Sequence, residues 1–373
     1  MRAKRIIISG GGTGGHIFPA ISIANALRRL EPDCEILFVG ALGRMEMERV
    51  PAAGYQIVGL PVSGLKRSLS LSNLKLPFMF VKSVIEAGRI IERFKPDAAV
   101  GVGGYASFPL LKAASFKNIP YIIQEQNSYA GVTNKLLAKK ASKICVAYEG
   151  MEKFFPAGKI LLTGNPVRSS IKRATPQEQI EAKAGFGFGK ETPVLLVVGG
   201  SLGAGTLNNA VKRWILDNPE SNLGIIWQCG KYYFPQTALF NQSNPRQFVK
   251  CFEFISNMEE ALAAADVVIS RAGAGTISEL CIAGKATIFV PSPNVAEDHQ
   301  TANAIALTNK GAALMVRDNE AHGVLMAQAQ KLLNDRDTIE KLERRMLEMA
   351  LYGSDEKIAG QVLSLINSSK GGE

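Results

Sequence analysis

The 373-residue chain offers no basis for a disulfide framework. Its five cysteines, Cys34, Cys145, Cys229, Cys251 and Cys281, are odd in number, scattered and without a Cys-x-x-Cys pair. That excludes a stapled secreted scaffold and a zinc cluster, and fits buried thiols in a reducing compartment. No apolar run approaches the ~20 residues that cross a bilayer. After the basic start Met1-Arg2-Ala3-Lys4-Arg5, the run Ile6-Ile7-Ile8 stops at Ser9 and a string of glycines. A secretory leader needs an apolar stretch of ~7–15 residues, so none is expected. Histidine is scarce, with three in the chain. Asp-x-Asp, the usual metal anchor of sugar transferases, occurs as Asp335-Arg336-Asp337 in a charged helical stretch and reads as solvated surface. No metal and no other cofactor is expected. A nicotinamide-binding fold would also place an acid near the end of its second strand to hold the ribose. That place reads Val39-Gly40-Ala41-Leu42, which argues against a dinucleotide oxidoreductase.

What is present is ordinary for a globular enzyme: 46% apolar and 20% charged residues. The length suggests two domains. The net charge of +10 is lopsided. Residues 1–165 hold 22 Lys/Arg against 11 Asp/Glu, and the remainder holds 21 against 22. A basic first half points to an anionic partner, and a solvated Lys-rich surface is the plainer alternative. No nucleic-acid-binding motif accompanies the charge.

The chain opens with strand Arg5–Ser9, turn Gly10-Gly11-Gly12-Thr13-Gly14-Gly15, a helix from Ile17 to Leu30 and strand Glu35–Val39, a βαβ unit. Further strands fit Asp97–Gly101, Tyr121–Ile123 and Lys143–Val146, with helices between. The pattern restarts after Gly164-Asn165-Pro166. Strand Pro193–Val198 leads into a second turn, Gly199-Gly200-Ser201-Leu202-Gly203-Ala204-Gly205, and a helix to about Leu216. Leu223–Gln228, Phe248–Phe252, Val267–Ser270 and Ala286–Val290 continue the set, and from about Glu320 the chain reads helical. Short apolar strands alternating with helices specify parallel sheets covered on both faces. The fold class is therefore α/β, two Rossmann-like domains facing a cleft. Residues 1–165 form the first domain and 166–354 the second. Residues 355–373 form a C-terminal helix expected to return to the first domain.

Each glycine turn sits where a strand feeds a helix, the place where backbone N–H groups receive anions. His16, closing the first turn, reads either as a structural histidine or as a general base for a hydroxyl. Ser201 lies in the second turn. Ser270-Arg271-Ala272-Gly273-Ala274-Gly275-Thr276 forms a third, and Glu279 follows one helical turn later. Phosphates there and ribose hydroxyls at Glu279 would suit a nucleoside diphosphate, and a helix-surface charge is the alternative for Glu279. Arg168, at the junction, reads as a diphosphate clamp or an interdomain ion pair. The stretch Leu71–Phe94 joins Leu74, Leu76, Phe78, Met79, Phe80 and Val81 to Lys66, Arg67, Lys75 and Lys82, suited to an anionic membrane surface or to core packing.

Together these strings closely resemble the MurG family, the transferases that add N-acetylglucosamine to the undecaprenyl-diphosphate-linked muramoyl-pentapeptide of peptidoglycan synthesis. The resemblance rests on Gly11–His16, Gly103-Gly104-Tyr105, Glu125-Gln126-Asn127, Thr133-Asn134-Lys135, Gly164–Arg168, Gly199-Gly200-Ser201 and Ser270–Ala274. It implies the GT-B glycosyltransferase fold and an inverting, metal-independent transfer from UDP-N-acetylglucosamine to the C4 hydroxyl of the lipid-linked acceptor. It implies donor contacts at Arg168, Ser201, Ile255, Ala274, Glu279 and Gln300, with Thr13, Gly14, Gly15 and Asn127 also near the donor. Acceptor contacts fall to Gly14, His16, Tyr105, Asn127 and Asn134. His16 is the expected base and Glu125 the alternative. The implied location is peripheral, on the cytoplasmic face of the bacterial inner membrane, with no nucleic-acid partner. Two positions depart from the family pattern: Leu202, where glutamine is frequent, and His299, where Asp298-His299-Gln300 replaces a common Gln-Gln pair. A related transferase with another lipid acceptor, or a non-catalytic nucleotide-sugar-binding module, are the rival readings.

Overall fold

A computed structural model describes residues 2–62, 76–104 and 106–370. The chain forms two compact units. One comprises Met1–Val167 with Tyr352–Glu373, and the other Arg168–Leu351.

The first unit is built on seven strands: β1 (Arg5–Ser9), β2 (Glu35–Ala41), β3 (Gln56–Leu60), β4 (Ala98–Gly101), β5 (Tyr121–Glu125), β6 (Lys143–Val146) and β7 (Ile160–Leu162). All pair in parallel, in the order β3-β2-β1-β4-β5-β6-β7. The central strand shows why an unbroken isoleucine run is required. Side chains alternate across a sheet, so Ile6 and Ile8 enter one core layer and Ile7 the other, each fully buried. Ile6 and Ile8 pack with α1 (Gly14–Leu30) and α14 (Ser354–Lys370). Ile7 meets α3 (Leu76–Phe94) and α4 (Ser107–Phe116). The first layer takes Ile358, Ala359, Val362 and Ile366 from α14, and Arg29 on α1 reaches Asp355 and Glu356 in the first turn of α14 at 2.7 and 3.3 Å. Two shorter helices complete the elements named below: α2 (Glu46–Ala52) and α5 (Val132–Leu137).

The second unit repeats the plan with β8 (Val194–Val198), β9 (Gly224–Gln228), β10 (Val249–Phe252), β11 (Val267–Ser270), β12 (Thr287–Phe289) and β13 (Leu314–Met315), in parallel order β10-β9-β8-β11-β12-β13. Among its helices, α6 (Pro176–Gly185) opens with a Thr175–Glu178 capping box. The others are α7 (Gly205–Asp217), α8 (Phe234–Ser243), α9 (Met258–Ala264), α10 (Ala274–Ala283), α11 (His299–Thr308), α12 (Ala321–Leu333) and α13 (Arg336–Glu348). Asp335, first of the Asp-x-Asp string, caps α13 by accepting from the Thr338 N–H.

The strands β3, β7 and β13 were not expected from the sequence. All three lie at sheet edges, and only one of their residues, Leu60, is fully buried. Helix α1 begins at Gly14, inside the glycine run and ahead of the expected Ile17, because Thr13 supplies the extended N-cap conformation.

The docking of α14 rests on its apolar face. Ile358→Ala should cost about 2–5 kcal/mol in equilibrium denaturation, the usual loss for a buried aliphatic truncation. Arg29→Ala, which cuts a half-exposed ion pair, should cost under about 1 kcal/mol. Comparable losses would mean that the ion pairs, rather than the apolar layer, hold α14.

Candidate functional site

In both sheets the strand order reverses direction once, between β1 and β4 and between β8 and β11. Chains leaving these neighbours turn to opposite sides, and ligands of open α/β sheets bind at the crevice this opens beyond the carboxyl ends.

At the first crevice the β1–α1 turn meets the loop after β4. Gly104, at φ +85°, lies so close to the Gly11 backbone that a Cβ there would stand 2.2 Å from the Gly11 carbonyl oxygen. Gly103, at φ +95°, lies under the His16 ring, with its own missing Cβ 2.8–2.9 Å from His16 Cδ2 and Nε2. The other ring nitrogen, Nδ1, is 3.2 Å from Thr13 Oγ1. With Nδ1 protonated and donating to Thr13, Nε2 is the basic nitrogen. Half-buried His16 is thus oriented by a hydroxyl on one side and a glycine on the other.

Glu125, at the end of β5, is buried. Its Oε1 accepts from the Asn127 N–H (3.1 Å) and Asn127 Nδ2 (3.3 Å), and its Oε2 from the Gly131 N–H (3.0 Å) and Asn134 Nδ2 (2.8 Å). Burial pushes this carboxyl up from its ordinary value, and these donors pull it back. With four donors on two oxygens, Glu125 anchors the loop from Asn127 to α5. Those four bonds occupy the carboxylate that the resemblance offered as the alternative base. The Oδ1 of Asn134 is buried and lacks a hydrogen-bond partner among the described residues, an acceptor ready for a ligand donor. Alongside, Gln126 donates to the Val102 carbonyl (2.7 Å) and to Gln124, and Gln124 donates to Asn165 (2.9 Å). Tyr105 lies outside the described residues.

At the second crevice, Gly199, Gly200, Gly203–Gly205, Gly273 and Thr276 line a cavity of about 420 Å³ together with Ser292, Asn294, Gln300 and Asp318. The N-termini of α7 and α10 both open here, so two sets of first-turn N–H groups face one space. Gly200 and Gly203 hold φ values of +86° and +89°, and a Cβ on Gly203 would strike the Cys229 carbonyl, so the turn can follow this path only as glycine. Gln300 lines the cavity, and its Oε1 accepts from the Ser292 N–H at 2.9 Å. Ala274 is the first residue of α10. Glu279, one turn along, lies 3.5 Å from Arg168 Nε within the same unit. Burial raises its carboxyl above the ordinary value, Arg168 lowers it and Glu259 adds to the rise. Ser201 sits exposed on the turn beside the cavity, its carbonyl accepting from the Lys231 N–H. Ile255 is buried, and its N–H donates to Gln228 Oε1 at 2.9 Å. The structure therefore brings Gln300 and the two turns to one cavity, with Ala274 opening α10 beside Gly273 and Ser201 on the turn next to it, and puts Thr13, Gly14, Gly15 and Asn127 in the other unit.

Four positions that shape the two crevices escaped the sequence reading. Arg271 donates to the Val290 and Pro291 carbonyls and pairs with Asp318 at 2.5 Å, while Thr206 on α7 donates to the other Asp318 oxygen at 3.0 Å. This group ties α7, the end of β11 and the chain after β13 around the cavity. Arg271 stood inside a quoted motif, but its partners lie 19 to 47 residues away. The fourth, Glu46, accepts from the Gly12 N–H at 2.9 Å and the Ala41 N–H at 3.0 Å.

Two Rossmann-type parallel sheets, each opening at a reversal of strand order, are the architecture of a glycosyltransferase of the GT-B class. Residues 6–146 match the glycosyltransferase family 28 N-terminal domain and residues 194–357 its C-terminal domain. The chain is 54% identical over 98% of its length to a protein of Parabacteroides distasonis, all of which is covered, and 52% identical to one of Bacteroides fragilis, over 98% of this chain and 97% of that protein. Both carry the name UDP-N-acetylglucosamine--N-acetylmuramyl-(pentapeptide) pyrophosphoryl-undecaprenol N-acetylglucosamine transferase. The crystal structure of Acinetobacter baumannii MurG superposes with a TM-score of 0.78 at 28% identity, covering 97% of this chain and 99% of that one. The chain belongs to the MurG family of glycosyltransferases.

Gly103→Ala should lower transferase turnover at least ~10-fold while leaving UDP affinity within twofold. It forces an L-residue to positive φ, at roughly 1–2 kcal/mol, and pushes a methyl into the His16 ring. Steady-state kinetics with calorimetric UDP titration checks this, and unchanged turnover would show that the ring position is not critical.

Proposed function

We propose that the chain transfers N-acetylglucosamine from UDP-N-acetylglucosamine to the C4 hydroxyl of an undecaprenyl-diphosphate-linked muramoyl-pentapeptide, inverting the anomeric centre without a divalent metal. The observation that carries this reading is the cavity between the N-termini of α7 and α10, sized and polarised for a nucleoside diphosphate. It is supported by the names of relatives more than 50% identical across almost the whole chain.

The diphosphate lies against the Gly199–Gly205 turn and Gly273–Thr276, where helix N-termini and Arg168 meet the charge that grows as UDP leaves. Ile255 packs the uracil, Glu279 accepts from the ribose hydroxyls, and Gln300 contacts the sugar. Ser201 and Ala274 supply turn contacts. In the first unit, Asn134 Oδ1 and Asn127 hold the acceptor with Thr13, Gly14, Gly15 and Tyr105. His16 Nε2 takes the proton of the C4 hydroxyl as its oxygen attacks the anomeric carbon opposite UDP, through an oxocarbenium-like transition state.

The enzyme works at a lipid surface, on the cytoplasmic face of the bacterial inner membrane. No helix among the described residues is long and apolar enough to cross a membrane. Helix α3, however, exposes Val81 and Ile85 at 59% and 53%, beside exposed Lys82 and Arg89. Phe80 packs 4.7 Å from Phe108 of α4, which exposes Phe116 with Lys112 above its ring. Apolar and cationic groups sharing a face suit anionic headgroups. Lys66, Arg67, Leu74 and Lys75 lie outside the described residues.

Purified protein incubated in EDTA with UDP-N-acetylglucosamine and a short-chain lipid-linked muramoyl-pentapeptide should release UDP and form the disaccharide product, read by mass. UDP binding with product only on another lipid would overturn the acceptor, and binding with no product on any would favour a binding module. His16→Ala should lower turnover ~10²-fold or more, and near-normal turnover would remove His16 as base. Glu279→Ala should raise the donor KM. In the native enzyme that KM should climb as pH falls through the raised Glu279 value, and Glu279→Gln should flatten the climb. Val81→Asp with Ile85→Asp should reduce binding to phosphatidylglycerol vesicles at least ~10-fold without altering UDP affinity. Retained vesicle binding would place the membrane contact elsewhere.

A further inference from the structure

The acid that the second strand lacks arrives five residues after Ala41, from the first residue of α2, and it points inward. Glu46 is fully buried. Its Oε2 accepts from the Gly12 N–H at 2.9 Å and its Oε1 from the Ala41 N–H at 3.0 Å. Two glycines exist to admit it. A Cβ on Gly11 would stand 2.2 Å from Glu46 Oε1, and one on Gly40 would stand 2.6 Å from Glu46 Cγ. Neither glycine has a positive φ, so what they provide is room and not backbone freedom. In a dinucleotide fold the turn amides after the first strand face a pyrophosphate, and the acid near the second strand faces a ribose. Here the acid occupies a turn amide itself.

We infer that Glu46 is a built-in anion that fixes the β1–α1 turn and thereby positions Thr13 and His16 for proton transfer, while closing the Gly12 amide to any ligand phosphate. The chain of contact is short. Glu46 holds Gly12, Gly12 leads directly to Thr13, and Thr13 both caps α1 and orients the His16 ring. Gly104 also packs on the Gly11 backbone, so the turn is held both by Glu46 and by the loop that carries Gly103. Glu46 is a positioning residue, since its carboxylate is spent on two backbone donors. The inference rests on the proposed transfer reaction with His16 as base.

The test compares native enzyme, Glu46→Gln and Gly11→Ala in the same lipid-acceptor assay, with calorimetric UDP titration and thermal unfolding of each. Glu46→Gln keeps the shape but can accept at one amide only, leaving a donor against a donor. Gly11→Ala displaces the carboxylate without removing its charge, so it serves if Glu46→Gln does not fold. Both should lose ~10- to 100-fold in kcat, the scale of a misplaced catalytic group, with donor KM and UDP affinity within twofold of native. Native turnover in both variants would overturn the inference. So would a loss confined to thermal stability, or one carried by donor KM. If the native protein itself gives no product, the proposed reaction fails instead, and UDP binding alone would show which reading is lost.

Discussion

Chains leaving β1 and β4, and again β8 and β11, must turn to opposite sides of their sheet, and the gap this leaves sets where each unit's glycine turns open. A parallel sheet directs every strand's carboxyl end to one edge, and the helix that follows each strand presents its N–H groups there. At a reversal of strand order, two such helices diverge and a ligand can enter between them. The chain uses this geometry twice with different chemistry. At β1/β4 the turn amide is occupied internally by Glu46, and the opening carries a histidine. At β8/β11 the turns of α7 and α10 line an open cavity.

The charges around these openings are arranged to be consumed. Glu125, Glu46 and Asp318 each accept from two or more donors within their own unit. Removing one partner from such a group leaves others buried and unpaired, which is costlier than the bond itself is worth. These carboxylates consequently fix backbone: Glu125 the loop to α5, Glu46 the first glycine turn, and Asp318 with Arg271 the rim of the cavity. Glu279 is different. It is largely buried with one cation beside it, and it holds its proton more readily than an ordinary carboxylate.

Local pattern made the central strands readable. Ile6-Ile7-Ile8 and Val194–Val198 are apolar on both faces because parallel strands are buried on both faces, and glycine turns after them marked the crevices. Lys143–Val146 and Val267–Ser270 came out with their observed bounds. Edge strands β3, β7 and β13 did not: an edge is half-solvated, and the three residues of β7 and two of β13 leave no periodicity. The site was legible where function needs a motif, as at His16, Gln300 and the turns. It was not legible where function needs a tertiary contact. Glu46 meets Gly12 across 34 residues and Arg271 meets Asp318 across 47, separations over which no spacing rule operates. The resemblance singled out Glu125, but whether its oxygens were open or occupied depended on Gly131 and Asn134 folding back onto it.

The proposed division of chemistry between the two crevices puts the donor diphosphate at the second and none at the first. A crystal structure of the enzyme with UDP-N-acetylglucosamine tests it most directly. The account expects the diphosphate against Gly199–Gly205 and Gly273–Thr276, with the Glu46 carboxylate still bonded to the Gly12 N–H. A diphosphate seated on the Gly10–Gly15 turn, with Glu46 displaced from Gly12, would contradict it.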